Sequence, residues 1–229
     1  MMTLRHSDER GHVNHGWLHA KHSFSFGSYY DAEHMGVSAL RVINDDQIAP
    51  GQGFPSHSHQ DMEIITYVTS GAIAHKDSMG NTEVIPAGEF QFISAGSGIT
   101  HSEYNPSSSD DLKLFQIWIE PNQLGIEPGY QQKKFMSKDG VQLIASPDAR
   151  DESFLIHQDA YLYLLRLQAG HSLSYSLGTE RSIYVHVIEG ELEIDGQHLF
   201  AGDAATITQT ADVNFNGLEK TQALLFDLP

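Results

Sequence analysis

Two short motifs carry residue types that bind metal ions: His57-Ser58-His59 and, further along the chain, His101-Ser102-Glu103. The two candidate ligands of each motif are two positions apart, a spacing that points both side chains to the same face of a β-strand. If the two strands are neighbours in one barrel, three imidazoles and one carboxylate meet at one point. This donor set suits a divalent transition metal. A cation that prefers six ligands would keep two positions open for water, dioxygen or substrate, as catalytic or sensory metal sites do and structural ones usually do not.

Each motif also follows a glycine-rich segment, residues 51–55 before the first and residues 96–100 before the second. An isolated His-x-His is common by chance in a chain with 14 histidines, and both pairs would also be compatible with a solvated strand face. The repetition of one arrangement, in which a glycine-rich loop delivers a ligand pair to a strand, favours metal binding. Six other histidines, between residues 6 and 34, have spacings that fit neither one strand face nor one helix face. We interpret them as hydrogen-bonded loop or strand residues.

The elements that must position these motifs are short β-strands. Apolar or alternating segments bounded by Gly, Pro, Asn and Asp recur along the chain, while helical spacing is scarce. Turn signals every eight to twelve residues are typical of a sandwich or barrel. Residues 64–71 resemble residues 182–190 in pattern, and residues 86–90 resemble residues 200–204. The offsets between the copies are 119 and 114 residues, so the second copy has a hairpin five residues shorter. Similarity that survives such an indel indicates a duplicated unit.

The sequence therefore predicts an all-β fold of two tandem antiparallel β-barrel (jelly-roll) domains. The join is expected in the polar, Gly- and Pro-punctuated segment 121–138. We place an N-terminal metal-binding domain at residues 1–130 and a C-terminal domain without a metal site at residues 131–229. His157, His171, His186 and His198 in the second half form no i, i+2 ligand pair.

Composition excludes several classes of function. The chain has 229 residues and no cysteine, so it has no disulfide framework, thiol nucleophile or iron–sulfur cluster. Lys and Arg total 13 against 30 Asp and Glu, and a formal charge of −17 argues against general affinity for nucleic acid or anionic membranes. The N-terminal residues lack an apolar run of signal-peptide length, and no stretch approaches the roughly 18 apolar residues of a membrane span. We expect a soluble cytoplasmic protein.

Four runs of sequence resemble the pirins, a bicupin family, and especially their bacterial members. The pattern Gly51-x5-His57-x-His59-x3-Glu63-x7-Gly71 is similar to the first cupin motif with one extra residue before its last glycine, and Gly80-x5-Pro86-x-Gly88 is similar to the start of the second. The runs that resemble pirins in detail are residues 10–18 (Arg-Gly-His-Val-Asn-His-Gly-Trp-Leu), 22–26 (His-Ser-Phe-Ser-Phe), 54–63 (Phe-Pro-Ser-His-Ser-His-Gln-Asp-Met-Glu) and 94–103 (Ser-Ala-Gly-Ser-Gly-Ile-Thr-His-Ser-Glu). The resemblance extends over nearly the whole chain.

This resemblance implies a ligand set. The general cupin pattern would make Glu63 a ligand and would place a histidine three residues after Gly88, where Gln91 stands. Pirins instead take a histidine and a glutamate from the later His-x-Glu, which implies His57, His59, His101 and Glu103 as the ligands. Glu63 is the rival carboxylate, because it would share a face with His59 in an unbroken strand. We expect it to orient a ligating imidazole through the free ring N–H. Trp17, Phe24 and Phe26 would line an apolar substrate pocket, or belong to plain core.

The resemblance to bacterial pirins further implies a metal-dependent dioxygenase of the quercetin 2,3-dioxygenase type. Its partners would be a small, aromatic, flavonol-like substrate and dioxygen, with Glu103 as ligand and general base together. Fe(II) is the first candidate metal, with Ni, Cu, Mn, Co and Zn as alternatives. The alternative function is a non-enzymatic, iron-binding redox sensor that regulates a protein partner, as proposed for nuclear pirins. A third interpretation is a metal-stabilised cupin without catalysis.

Overall fold

The computed structural model describes residues 1–136, 138–178 and 180–229. Within these ranges the chain forms β-strands and one 3-10 turn, Arg150–Glu152, but no α-helix. In chain order the strands are β1 (Met2–Arg5), β2 (Gly11–Asn14), β3 (Leu18–His22), β4 (Leu40–Ile48), β5 (Gly53–His59), β6 (Glu63–Ser70), β7 (Ala72–Asp77), β8 (Thr82–Pro86), β9 (Glu89–Ser94), β10 (Ile99–Tyr104), β11 (Leu112–Ile119), β12 (Gly129–Lys134), β13 (Gly140–Ser146), β14 (Phe154–Leu155), β15 (Tyr161–Leu167), β16 (Ser172–Ser176), β17 (Ser182–Glu189), β18 (Glu191–Ile194), β19 (Gln197–Phe200), β20 (Ala204–Thr208), β21 (Asp212–Gly217) and β22 (Thr221–Leu228).

The strands form two compact units. The first unit comprises Gly11–Gly36 and Leu40–Phe135, and the second comprises Met1–Arg10, Val37–Ala39 and Met136–Pro229. The sequence-based boundary after residue 130 differs from this grouping at the N-terminus, because β1 pairs antiparallel with β20 and so belongs to the sheet of the second unit. The expected join 121–138 contains strand β12 of the first unit, and its residue 137 lies outside the described residues.

The first unit consists of a seven-stranded sheet and a four-stranded sheet. Strand order is β12-β9-β6-β11-β4-β3-β2 in the larger sheet and β5-β10-β7-β8 in the smaller one. A buried apolar cluster joins the two sheets at one end of the unit, with Ile73 and Ile85 from the small sheet packing against Ile48, Val68 and Leu114 from the large one. Alternation of apolar and polar residues along the strands directs these side chains inward.

The second unit repeats this plan of one seven-stranded and one four-stranded sheet. Its seven-stranded sheet has the order β1-β20-β17-β22-β15-β13-β14, and its four-stranded sheet has the order β16-β21-β18-β19. Strands β6 and β17 are eight residues long and start 119 positions apart, the offset on which the predicted duplication rests. The strand pairs are antiparallel except β13 with β14, which is parallel. The predicted all-β architecture of two barrel-like domains is confirmed.

No described helix is long and apolar enough to cross a membrane.

Candidate metal centre

Strands β5 and β10 bring the two motifs together. They are antiparallel neighbours in the small sheet of the first unit, with His57 opposite His101 and His59 opposite Ile99. Positive φ angles at Gly51 (68°) and Gly96 (46°) turn the chain before each strand, a backbone conformation that suits glycine. The condition on which the predicted site depended, that the two strands are neighbours, is met.

Three imidazoles converge at this point. His57, His59 and His101 can each offer a ring nitrogen so that all three atoms lie within 4.8 Å of one another. Their ring centroids are 4.4 Å (His57–His101), 4.8 Å (His57–His59) and 4.9 Å (His59–His101) apart. His57 Nδ1 lies 2.8 Å from the carbonyl oxygen of Pro55. Since a carbonyl only accepts, Nδ1 carries the proton and Nε2 keeps its lone pair for a cation.

Glu103 lies beside these histidines but in a more enclosed position. Its residue exposure is 2 %, and its Oε2 accepts a 3.0 Å hydrogen bond from Gln116 Nε2. The register of the β5–β10 pair shifts between His101 and Glu103, so that Glu103 stands opposite Phe54. Within the described part of the chain its Oε1 has no hydrogen-bond partner. An unsatisfied buried carboxylate oxygen is costly, and a bound cation would remove that cost.

A second trio shares two of these residues. His75, His101 and Glu103 are all buried, and their ligand atoms also lie within 4.8 Å of one another. Sequence reasoning missed His75, although the signal was present: His75-Lys76-Asp77 places two polar residues on one face of β7 by the same i, i+2 rule. What sequence reasoning lacked was the pairing of β7 with β10, which sets His75 opposite Glu103.

Burial controls the charge of the ligand candidates. Burial and the neighbouring His57 lower the pKa of His59 to about 4, and burial with His57 and His59 nearby lowers the pKa of His101 to about 3. Both rings are therefore neutral at pH 7, the form in which imidazole binds metals. Burial raises the pKa of Glu103 to about 7, against the opposing effect of the Gln116 hydrogen bond.

A small cleft of about 80 Å³ opens beside the histidines. Its apolar lining residues are Leu18, Phe26, Phe54 and Trp118. Its polar lining residues are His22, Asn44, Asp46, His57, His59, Glu103 and Gln116. The Trp118 ring meets both Phe26 and His59 edge-on, at centroid distances of 5.3 and 5.0 Å.

Asp46 is the wall residue with the most perturbed environment. It is buried, and among the described residues its Oδ1 has no hydrogen-bond partner. Burial, together with the charges of Asp45 and Glu103, raises the pKa of its carboxyl group to about 8. Neither Asp46 nor Trp118 was predicted as a site residue, since each lies within an ordinary strand pattern on β4 or β11.

The three aromatic residues predicted for the pocket occupy different places. Phe26 lines the cleft. Trp17 does not line the cleft but packs edge-on against its lining residue Phe54 at 5.5 Å, and Phe24 is buried at 4 % exposure. Phe24 and Phe26 do not lie on one strand, because β3 ends at His22 and the chain bends before Phe26 forms an isolated bridge with Tyr29.

Glu63 does not lie on the same strand as His59. The chain turns at Asp61 (φ 49°), and Glu63 opens β6 in the seven-stranded sheet, where its Oε1 accepts a 2.7 Å hydrogen bond from Ser94. The unbroken strand that would have made Glu63 a rival ligand is therefore absent from this part of the described chain.

The second unit places apolar residues where the first has its candidate ligands. Where the first unit pairs His57 with His101, the second pairs Tyr175 with Val213. Where the first unit pairs His75 with Glu103, the second pairs Ile194 with Phe215. Val213, Phe215 and Ile194 belong to the apolar core, with Tyr175 packed against it. Both clusters of metal-ligating residues found in the described ranges lie in the first unit.

Comparison with known proteins gives matches along the whole chain. Residues 3–119 match the family model described as Pirin, and residues 143–228 match the one described as Quercetinase C-terminal cupin domain. The chain is 50% identical over 229 residues to a protein of Escherichia coli K12 named quercetin 2,3-dioxygenase, a match that covers 100% of this chain and 99% of the relative.

Solved structures give the same result. The crystal structure of YhhW from Escherichia coli superposes with a TM-score of 0.99 at 50% identity and covers 100% of this chain and 98% of that one. A structure described as bacterial pirin YhhW in complex with nickel(II), also from Escherichia coli, gives a TM-score of 0.98 at 49% identity, with 100% and 99% coverage. This agreement confirms the predicted bicupin fold.

Proposed function

The chain belongs to the pirin family, and from this membership we propose that it is a metal-dependent dioxygenase that cleaves flavonols such as quercetin. The observation that carries the proposal is the convergence of His57, His59 and His101 beside a mostly apolar cleft. The same cleft also contains Glu103, whose Oε1 has no hydrogen-bond partner among the described residues.

We assign the metal to His57, His59, His101 and Glu103. The residues fit a cation because His101 belongs to both trios of ligand atoms, with His57 and His59 in one and with Glu103 in the other. His59 and His101 are neutral at pH 7, and Glu103 Oε1 is a buried carboxylate oxygen without a hydrogen-bond partner among the described residues. When bound, a divalent transition metal would stabilise the flavonol anion and hold the substrate and dioxygen together. Fe(II) remains our first candidate for the resident metal, and the nickel(II) complex of the Escherichia coli relative makes nickel the first alternative.

The residues around the metal would divide the remaining tasks. Glu103 takes the proton of the flavonol 3-hydroxyl group at Oε1, while Gln116 holds Oε2 and fixes the plane of the carboxylate. Phe26, Phe54 and Trp118 grip the flat rings and exclude water from the reacting atoms.

The polar wall of the cleft gives further specificity. Asp46, whose raised pKa of about 8 keeps it protonated at neutral pH, offers a hydrogen-bond donor to a substrate oxygen. A flavonol carries several hydroxyl groups on an aromatic frame, which matches a cleft lined by aromatic residues together with a few polar ones. The cellular setting we assign is the cytoplasm.

The test is turnover by protein of known metal content. The purified protein is loaded with Fe(II) or nickel(II), its metal is quantified, and the loss of quercetin absorbance is followed in air. We expect turnover that His101→Ala abolishes without unfolding the barrel. Ser102→Ala, on the same strand between two ligands, is the matched control and should keep full activity. A fully metallated wild type that leaves quercetin and related flavonols and catechols unchanged would contradict the proposal.

The regulatory alternative predicts a different outcome, namely a protein partner bound according to metal oxidation state and no flavonol turnover. No contact, charge or cavity among the described residues specifically favours it.

A further inference from the structure

His75 and Asp77 form a buried pair next to the candidate ligands. Both side chains are fully buried, and His75 Nε2 lies 3.1 Å from Asp77 Oδ2. Asp77 is fixed in turn by the loop that follows: its Oδ1 accepts from the backbone N–H groups of Met79 (2.9 Å) and Asn81 (3.0 Å), and its Oδ2 accepts from Asn81 Nδ2 (2.8 Å). A carboxylate with this many donors is ionised and rigid, so it requires Nε2 of His75 to be the protonated nitrogen.

The other nitrogen of His75 has no such partner. Among the described residues, His75 Nδ1 and both ring nitrogens of His101 are buried without a hydrogen bond. His75 and His101 are diagonal neighbours across the β7–β10 pair, in which His75 stands opposite Glu103 and His101 opposite Asp77, and their ring centroids are 5.4 Å apart. One ligand atom of each lies within 4.8 Å of the other. Buried polar atoms without partners are rare and need an explanation.

The donors and acceptors match if His101 binds the metal. One nitrogen of a ligating neutral imidazole faces the cation, and the other carries a proton that needs an acceptor. In the neutral ring with its proton on Nε2, His75 Nδ1 is the hydrogen-bond acceptor. We infer that His75 is a positioning residue: its Nδ1 accepts a hydrogen bond from the N–H of His101, and Asp77 completes a chain from the metal ligand to the loop. The inference rests on the proposed role of His101 as a ligand.

Packing holds the accepting ring in place. The Tyr130 ring stacks on His75 at 4.9 Å and 25° between the planes. The series of hydrogen bonds from His101 through His75 to Asp77 would select the tautomer of His101 and fix its ring plane. It would also make His101 a stronger donor to the cation, as carboxylate partners do for other metal-binding histidines. Loss of such a partner typically weakens metal binding by about 10–100-fold.

The experiment compares Co²⁺ affinity among full-length variants, measured by chelator competition with the visible absorption of bound Co²⁺. His75→Phe keeps an aromatic ring but removes the acceptor, and we expect affinity to fall by about 10–100-fold. His75→Gln restores an acceptor oxygen and should recover most of that loss. Lys76→Ala, at the exposed position between His75 and Asp77 on β7, is the matched control, and its affinity should stay within about twofold of wild type.

The NMR spectrum of the Co²⁺-loaded protein gives a second readout. Wild type should show a paramagnetically shifted imidazole N–H that exchanges slowly with water, and His75→Phe should lose it. The inference is overturned if both His75 variants bind Co²⁺ like wild type, if both weaken equally, or if X-ray absorption shows one fewer imidazole bound to the metal in His75→Gln. If instead His101→Ala binds Co²⁺ as tightly as wild type, it is the proposed metal site that fails.

Discussion

Replacing Gly53 with alanine should disable the site through the backbone, without changing any candidate ligand. Gly53 begins β5 and pairs with Tyr104, the residue after Glu103. A Cβ atom at Gly53 would lie 2.1 Å from the carbonyl oxygen of Glu103 and 2.5 Å from Cα of Tyr104. Both are backbone atoms, so no side-chain rotation can relieve the contact.

The required displacement follows from these distances. Ordinary contact begins at 3.4 Å, so β5 and β10 must separate by about 3.4 − 2.1 = 1.3 Å near Glu103. A misplacement of about 1 Å at a reacting group costs on the order of 100-fold in rate. Overpacking of this kind typically lowers the free energy of unfolding by about 1–3 kcal/mol. We therefore expect Gly53→Ala to lose about 100-fold in quercetin turnover while remaining folded.

Gly129→Ala is the matched control. Gly129 is also a strand glycine without a positive φ, in β12, but the nearest atom to its added Cβ is 4.0 Å away. Turnover of quercetin in air, metal content and thermal unfolding should be measured for both variants. Activity of Gly53→Ala within twofold of wild type, or an equal loss in Gly129→Ala, would refute the reasoning from strand separation.

Three other measurements test the cleft and the metal. Folding raises the pKa of Asp46 to about 8, so the stability that its protonated carboxyl group contributes is lost as pH rises from about 4 to 8. In urea unfolding of the metal-free protein, Asp46→Asn should therefore gain up to about 1.4 kcal/mol per pH unit relative to wild type over this range. Parallel pH profiles of the two proteins would contradict this. Phe26→Ala should raise KM for quercetin about tenfold through loss of apolar contact, whereas Tyr30→Ala, at a residue that is 75 % exposed, should not. In the presence of metal at about 100 times its Kd, the free energy of unfolding should be about 2.7 kcal/mol higher than after the metal is removed by a chelator. A melting temperature that does not change on chelation would exclude a tightly bound ion.

Local spacing was sufficient to predict the strands and the motifs. A strand repeats every two residues, so His57 with His59 and His101 with Glu103 can be recognised as same-face pairs before any pairing of strands is known. The duplication was visible because the 119-residue offset between β6 and β17 preserves strand length and turn position together.

Non-local register was not accessible in the same way. His75 and Asp77 follow the same i, i+2 rule, but their importance depends on β7 lying next to β10. Asp46 and Trp118 become cleft residues only through the curvature and pairing of β4 and β11. Glu63 lies in another sheet because the chain turns at Asp61, whose backbone has a left-handed conformation. Residues other than glycine rarely adopt this conformation, so little in the sequence indicated the turn.

Strand β1 is synthesised first but pairs with a strand that is synthesised near the end of the chain. Met2 pairs with Ile207, which the ribosome reaches 205 residues later, or about 10–40 s at about 5–20 residues per second. Until then the first strand has no partner. Without β1, the completed second sheet would leave β20 uncovered, because β1 is the strand that pairs with it. A fragment that begins at residue 136 would carry that edge permanently and would tend to aggregate, so the C-terminal half should be expressed together with its distant N-terminal strand.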